Sequence, residues 1–564
     1  MKKLISVLLV SILIVLSLTA CGGKGNSNNT PAVSQETNTD KKGEVTPTKE
    51  AEEENAEIVD GKFTTTRKIT VEVFDRGNDG GSKPEDNFYT DFIKEGMLRD
   101  HNVEVTFVPV PRWTEVEQIN NLLAAGDAPD ICVTYDYSTI QTYANMGGVT
   151  DLNSYVNDNK DILPNLWGLL QETNINWDKD PQAGTLWALE ARLANSARIN
   201  TFVREDWLKK LKLSEPTTLE EFESMLKAFK ENASTLLGAE ADKMVPFSIS
   251  FDVGWRADHL ISSFVPNGIS DKDKFINGFD DRKLLYPGIK SGIQVLNKWY
   301  NEGLVWKDFP LYGSGDPTED NMMKAGYVGA FIHNWDYPYR NGEDSINNNL
   351  KRLVGEDAGY VAVMPFKNEA GLYTKFLPGP VDRKIFFPAT NDEPVASMLY
   401  LDWISNLENR IFLQTGEEGV THEKMEDGSI KTMAATGEKI MNSQNNIDYT
   451  ITINGLDLGN EELTVKSIAL SYVGVDPSYI EKAFKLSTYD GVYDNKYNVG
   501  EIKSEEGMGT ALSEKRNTLL TQSIVAESGK FDSVFDSGYV DYLNSGGQAI
   551  IDERKAAWEK TFEK

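Results

Sequence analysis

Ile69-Thr70-Val71-Glu72-Val73, Val103-Glu104-Val105-Thr106-Phe107 and Ile131-Cys132-Val133 are three β-type runs, the first two alternating with period two. Between the second and third, Val116, Ile119, Leu122 and Leu123 recur with helical spacing and are closed by Gly126-Asp127. The order is β-α-β-α-β, which predicts an open, mostly parallel sheet. Such sheets bind ligands beyond the carboxyl ends of their strands. The loops at those ends carry Asp75-Arg76, Pro111-Arg112-Trp113 and Tyr135-Asp136-Tyr137, so aromatic and charged groups gather along one edge.

Toward the amino terminus, Lys2 and Lys3 precede an apolar run from Leu4 to Leu18 that ends in Leu18-Thr19-Ala20-Cys21. A charged start, an apolar stretch and a small residue before the cut make an export signal, predicted over 1–20. Leu-Thr-Ala-Cys resembles a bacterial lipobox, in which the cysteine takes a diacylglyceryl group and the new terminus is acylated, by palmitate or a similar chain. Cys21 is therefore the expected anchor, because two or three acyl chains hold a protein at a bilayer where one does not. The alternative is an uncleaved membrane helix, but a polar stretch follows Cys21 in place of a positive stop. Residues 21–64 are nearly devoid of apolar side chains and are expected to form a disordered tether. A coil of about forty residues reaches on the order of 35 Å, and the folded part is expected from near Thr65.

Composition removes several classes of function. The net charge of −30 opposes a nucleic-acid partner and an anionic membrane surface alike, leaving the lipid as the only membrane attachment. After Cys21 the sole cysteine is Cys132, in an apolar run that reads as core, so no disulfide forms within the mature chain. Four histidines at scattered positions assemble no recognisable metal cluster. Some five hundred residues exceed what one core organises, and two lobes are expected.

Ala124-Ala-Gly-Asp-Ala-Pro-Asp-Ile131, a helix end running through Gly-Asp-x-Pro-Asp into a strand, resembles the signature of extracellular solute-binding proteins of sugar ABC transporters. Thr201-Phe-Val-Arg-Glu-Asp-Trp207, Glu215-Pro-Thr-Thr-Leu-Glu-Glu-Phe222, Trp299-Tyr-Asn-Glu-Gly-Leu304, Trp403-Ile-Ser-Asn406, Gln414-Thr-Gly-Glu-Glu-Gly-Val420 and Gly546-Gly-Gln-Ala-Ile-Ile-Asp-Glu-Arg-Lys555 are similar to its long lipoprotein branch in Gram-positive bacteria. The resemblance implies a periplasmic-binding-protein-like type II α/β fold, with two lobes joined by a multi-strand hinge and a ligand cleft between them. The first lobe is expected over 65–182 plus 326–394, and a more helical second lobe over 183–325 plus 395–564. The implied function is a monomeric receptor on the outer face of the cytoplasmic membrane that captures an oligosaccharide and delivers it to ABC permease subunits. Many members of this branch hold calcium in an Asp-rich loop; here the matching segment, Asn232–Asp242, places Leu236, Leu237 and Ala239 where oxygen donors are wanted, so no calcium and no other cofactor is expected. A second candidate loop, Asp75 to Asp86, has Gly77 at a ligand position.

Sugars stack on aromatic rings and are oriented by a few fixed polar groups. The candidate ligand contacts are Arg76, Trp113, Tyr135, Asp136, Trp187, Arg204, Trp255, Arg256, Trp335, Asp336 and Glu418. Arginines among Arg76, Arg112, Arg192, Arg204 and Arg256 are candidates to clamp a uronate carboxylate, against the plainer reading of scattered surface charge. Trp207, Trp299 and Trp403 lie on helical patterns and read as packing. Thr218 is a helix cap with Glu221 as its capping-box partner, and Phe222, Met225, Leu226 and Phe229 form a core stripe. The competing class is a secreted glycoside hydrolase, for which two carboxylates suffice. No nucleophile elbow, zinc motif or phosphate loop supports it, and no repeats support an adhesin.

Overall fold

The computed structural model describes residues 58–563 apart from 78–80, 251, 314–315, 494–496, 498, 501 and 506. The export signal, Cys21 and most of the tether lie outside the described residues, as do two positions of the second calcium candidate, Asp79 and Gly80. Structure begins before Thr65: Ile58–Val59 pairs antiparallel with Lys62–Phe63, and Phe63 is buried in the first core. No helix among the described residues is long and apolar enough to cross a membrane.

The β-α-β-α-β reading of the first segment stands. Strand Arg67–Asp75 pairs in parallel with Val103–Pro111, and their alternating Ile69, Val71, Val73, Val103, Val105 and Phe107 face inward. Helices Phe88–His101 and Glu115–Ala125 intervene, the second ending at Gly126 in the left-handed conformation that glycine adopts most easily. The third strand, Cys132–Thr134, joins through a parallel bridge between Val71 and Ile131. It then pairs antiparallel with Val381–Phe386, which pairs on its other side with Leu189–Leu193. Cys132 is buried, and its thiol donates to the Pro129 carbonyl oxygen.

Ile453–Asn454 completes this sheet in parallel with Leu189–Leu193. A second sheet has the order Tyr360–Val363, Ile199–Arg204, Val328–Asn334 and Val245–Ser248, and carries its own core. The molecule is thus two α/β lobes of the type II binding-protein class.

The expected lobe boundaries need correction. Strand Val328–Asn334 is hydrogen-bonded on both sides within the second sheet, which places it and Tyr360–Val363 with the second core. Helix Pro394–Ser405, buried at all twelve positions, packs in the first core with Tyr449, Ile451 and Ile453. The chain passes between the cores at 194–198, 378–380 and 455–460. The stripe of Phe222, Met225, Leu226 and Phe229 is buried as expected, and Thr218 caps its helix. The capping box is incomplete, because the Glu221 carboxylate bonds Thr217 instead of reaching the Thr218 amide.

Candidate functional site

At the carboxyl edge of the first lobe, the ends of three strands meet as one cluster. Arg112 lies over the Tyr135 ring at 4.2 Å and the Phe74 ring at 5.1 Å, and the Trp113 ring sits 5.5 Å from Arg112 and 6.0 Å from Arg76. Trp113 is 75% exposed, an unusual state for so large an apolar surface unless something covers it. Arg76 donates to Asp448 through Nε at 2.6 Å and Nη2 at 2.9 Å, and this bidentate pair raises its pKa further. Through Asp448 the edge is continuous with the loop 444–447.

That loop forms one wall of a cavity of about 580 Å³. Gln444, Asn445 and Ile447 of the first lobe line it together with Trp335, Asp336, Arg340 and Tyr472 of the second, as do Leu193 at the end of its strand and Asn195 of the connecting segment. Trp335 and Asp336 follow the strand Val328–Asn334, at that strand's carboxyl end. The Trp335 ring packs against Tyr472 and Phe484, and its carbonyl oxygen accepts from Asn200 at 3.0 Å. Asp336 is bonded by Arg340 and by the Tyr472 hydroxyl at 2.6 Å. Burial, with Asp336 beside it, raises the Tyr472 pKa, so the hydroxyl stays a donor. Nearby, His333 stacks on Tyr337 at 3.4 Å, and burial followed by the charges of Arg256 and Arg340 lowers its pKa to about 2. Trp255 is held between Arg198 at 4.6 Å and Arg282 at 5.2 Å.

Several candidate contacts are corrected by their surroundings. Arg204 is fully buried, donates to Asp206 and to the Gly326 carbonyl, and stands at the end of its strand away from Asn334. Arg256 is 3% exposed and is held by Glu319 and the Ile332 carbonyl oxygen. Both tie the second lobe together and present nothing to a ligand. Asp136 commits its carboxylate to capping helix Tyr137–Asn145 through Ser138 and Thr139, bonds that outweigh burial and lower its pKa. Trp187 precedes its strand and packs half-buried beside Ile140 and Phe386, at the end of the sheet remote from Tyr135. Glu418 is exposed in the turn before His422 and does not line the cavity. Trp207, Trp299 and Trp403 are buried packing residues.

Arg198, Arg282, Arg340 and Tyr472 were not singled out by the sequence. Arg340 lies one helical turn beyond Asp336, a spacing that signals an ion pair. Tyr472, 136 positions from Asp336 in the chain, gives no local signal. The segment Asn232–Asp242 folds as helix Ala233–Leu237 and a tight turn over Gly238–Lys243, with Lys243 paired to Glu240.

A cavity walled by two α/β lobes at their strand ends defines a two-lobed ligand-binding protein. Residues 91–411 match the model of the bacterial extracellular solute-binding protein family, and the chain belongs to that family. It is a binding protein and not an enzyme. The polygalacturonan/rhamnogalacturonan-binding protein YtcQ of Bacillus subtilis is 21% identical over 474 residues, spanning 81% of this chain and 86% of its own. Lipoprotein LipO of the same organism is 24% identical over 352 residues, 60% of this chain and 65% of that one. Among solved structures, the HMO-binding, ABC-transporter-associated solute-binding protein of Bifidobacterium longum infantis superposes with a TM-score of 0.60 at 15% identity, over 88% of this chain and 99% of that one.

Proposed function

We propose that this chain is a lipid-anchored receptor that captures an oligosaccharide in the cleft between its lobes and delivers it to an ABC permease. The observation that carries the reading is the cavity bounded by both lobes, with Trp113 exposed along the same edge and Trp335 in its wall. Aromatic faces supply stacking for sugar rings, and the polar groups beside them orient hydroxyls. The proposed ligand contacts are Trp335 and Asp336, which line the cavity, with Arg76, Trp113 and Tyr135 on the strand-end edge joined to it through Asp448; Trp255, held by Arg198 and Arg282, does not line the cavity and is not among them. The polygalacturonan/rhamnogalacturonan-binding activity named for YtcQ and the ABC-transporter association named for the Bifidobacterium protein support a saccharide ligand and an ABC-transporter partner.

Closure follows from population shift, since a ligand touching both lobes binds the closed form more tightly and draws the hinge toward it. The closed surface would then dock on the permease. Anchoring through Cys21 is supported by the Leu18-Thr19-Ala20-Cys21 motif and by the lipoprotein relative. The reading requires no cofactor, in keeping with the lack of oxygen side chains at positions 236, 237 and 239.

Titration calorimetry against a panel of neutral and acidic oligosaccharides tests the reading. Micromolar or tighter binding with the sugar recovered intact supports it; absence of binding across the panel refutes it. Membrane attachment is tested by Cys21→Ser, which should release the protein to the medium.

A further inference from the structure

The arginines of this acidic chain are almost all occupied. Arg67, Arg76, Arg99, Arg192, Arg198, Arg204, Arg256, Arg282, Arg340, Arg352, Arg383, Arg410, Arg516 and Arg554 each donate to a protein oxygen. Among the described residues Arg112 alone donates to none, and its Nε is buried without an acceptor. An arginine in a chain of net charge −30 does not lack carboxylates for want of supply. Of the nearby carboxylates, Asp136 caps its helix and Asp448 holds Arg76, while Glu115 accepts from the Tyr135 amide through Oε1 and keeps Oε2 buried without a hydrogen bond, so that even this free oxygen is not paired with Arg112.

The guanidinium is nevertheless fixed. Tyr135, Phe74 and Trp113 surround it at 4.2, 5.1 and 5.5 Å, contacts that attract the cation and restrict its rotamers. A half-buried guanidinium held on aromatic faces without an acceptor is a costly arrangement by itself. It is also a pre-organised fork that matches the two oxygens of a carboxylate. A uronate residue carries a flat apolar ring face and a carboxylate on the same sugar, and the adjacent pair of exposed Trp113 and unpaired Arg112 offers one partner for each.

We propose that Arg112 reads a ligand carboxylate and that the substrates are acidic oligosaccharides built from uronate residues. The proposal rests on the receptor reading above and narrows its substrate class.

The test is calorimetry of the full chain in detergent with trisaccharides of galacturonate, glucuronate and mannuronate, each beside its methyl ester and its carboxyl-reduced form. Wild-type protein should prefer at least one free acid over its own ester by about thirtyfold or more. Arg112→Met should abolish that preference while ester affinity stays within about threefold of wild type, which also shows that the variant is folded; Arg112→Lys should retain part of it. Equal affinity for acid and ester in the wild type, or a preference that survives Arg112→Met, overturns the proposal and leaves the receptor reading intact. Tighter binding of a sulfated galactotriose than of any uronate overturns it as well. Failure of every sugar to bind removes the receptor reading and the proposal with it.

Discussion

Glu190 shows how one buried side chain sets a pH dependence. It is 2% exposed in the first sheet, with Lys384 Nζ at 3.6 Å, and burial raises its pKa to about 7 although Lys384 opposes the shift. The folded state therefore holds a proton that the unfolded state releases above about pH 4.5, and stability falls as pH rises from there to about 7. Glu190→Gln should raise the unfolding free energy from urea titration at pH 8 by up to ~3 kcal/mol and have no such effect near pH 4. An equal gain at both values would refute the assignment. Trp113→Ala should leave stability within ~0.5 kcal/mol, because the ring is exposed, yet weaken ligand binding about tenfold in calorimetry. Trp113 was legible in the sequence because it ends a strand on the binding edge. Arg256 was misread because a sequence displays a charge without its partner, and Glu319 lies 63 positions away; for Arg204, where a cleft contact and a helix-start ion pair with Asp206 were equally open, the structure shows the ion pair.

Where helix Phe88–His101 meets the buried helix Pro394–Ser405, a β-carbon on Gly96 would stand 2.1 Å from Trp403 Cζ2. The gain of about 1 kcal/mol in helix propensity on Gly96→Ala is outweighed by overpacking of roughly 1–3 kcal/mol. The thermal midpoint should fall. Gly168→Ala, in helix Pro164–Ile175 with nothing within 4 Å of the new atom, should raise it instead, and the pair measured together separates packing from propensity. Elements as such were readable: alternation gave the first strands, and spacing gave the helix closed at Gly126. Partner choice was not. The run Val328–Asn334 advertises a buried strand, but nothing in its composition says which sheet it enters, and assigning it to the wrong lobe displaced the neighbouring boundaries with it. Pro394–Ser405 misled for a related reason, since a helix buried all round has no polar face to indicate its side.

On the scale of the whole molecule, three connecting segments between two separate cores make a hinge the natural soft mode. Saturating ligand should reduce the radius of gyration in small-angle scattering, and an unchanged value with ligand bound would exclude closure. The segment after strand Leu189–Leu193 carries a further consequence. Leu193 and Asn195 line the ligand cavity, whereas Arg192, Ala194 and Ser196 line a second crevice of about 620 Å³, also walled by both lobes. Because the lining residues alternate along the chain from Arg192 to Ser196, the two spaces lie on opposite sides of this stretch. A rotation about it that shuts one must widen the other, as the pans of a balance move against each other. Bulk added behind the connector, as in Ser196→Trp, should favour the closed cleft and tighten ligand binding without touching the ligand, so that affinity in this protein can be set from the side the sugar never visits.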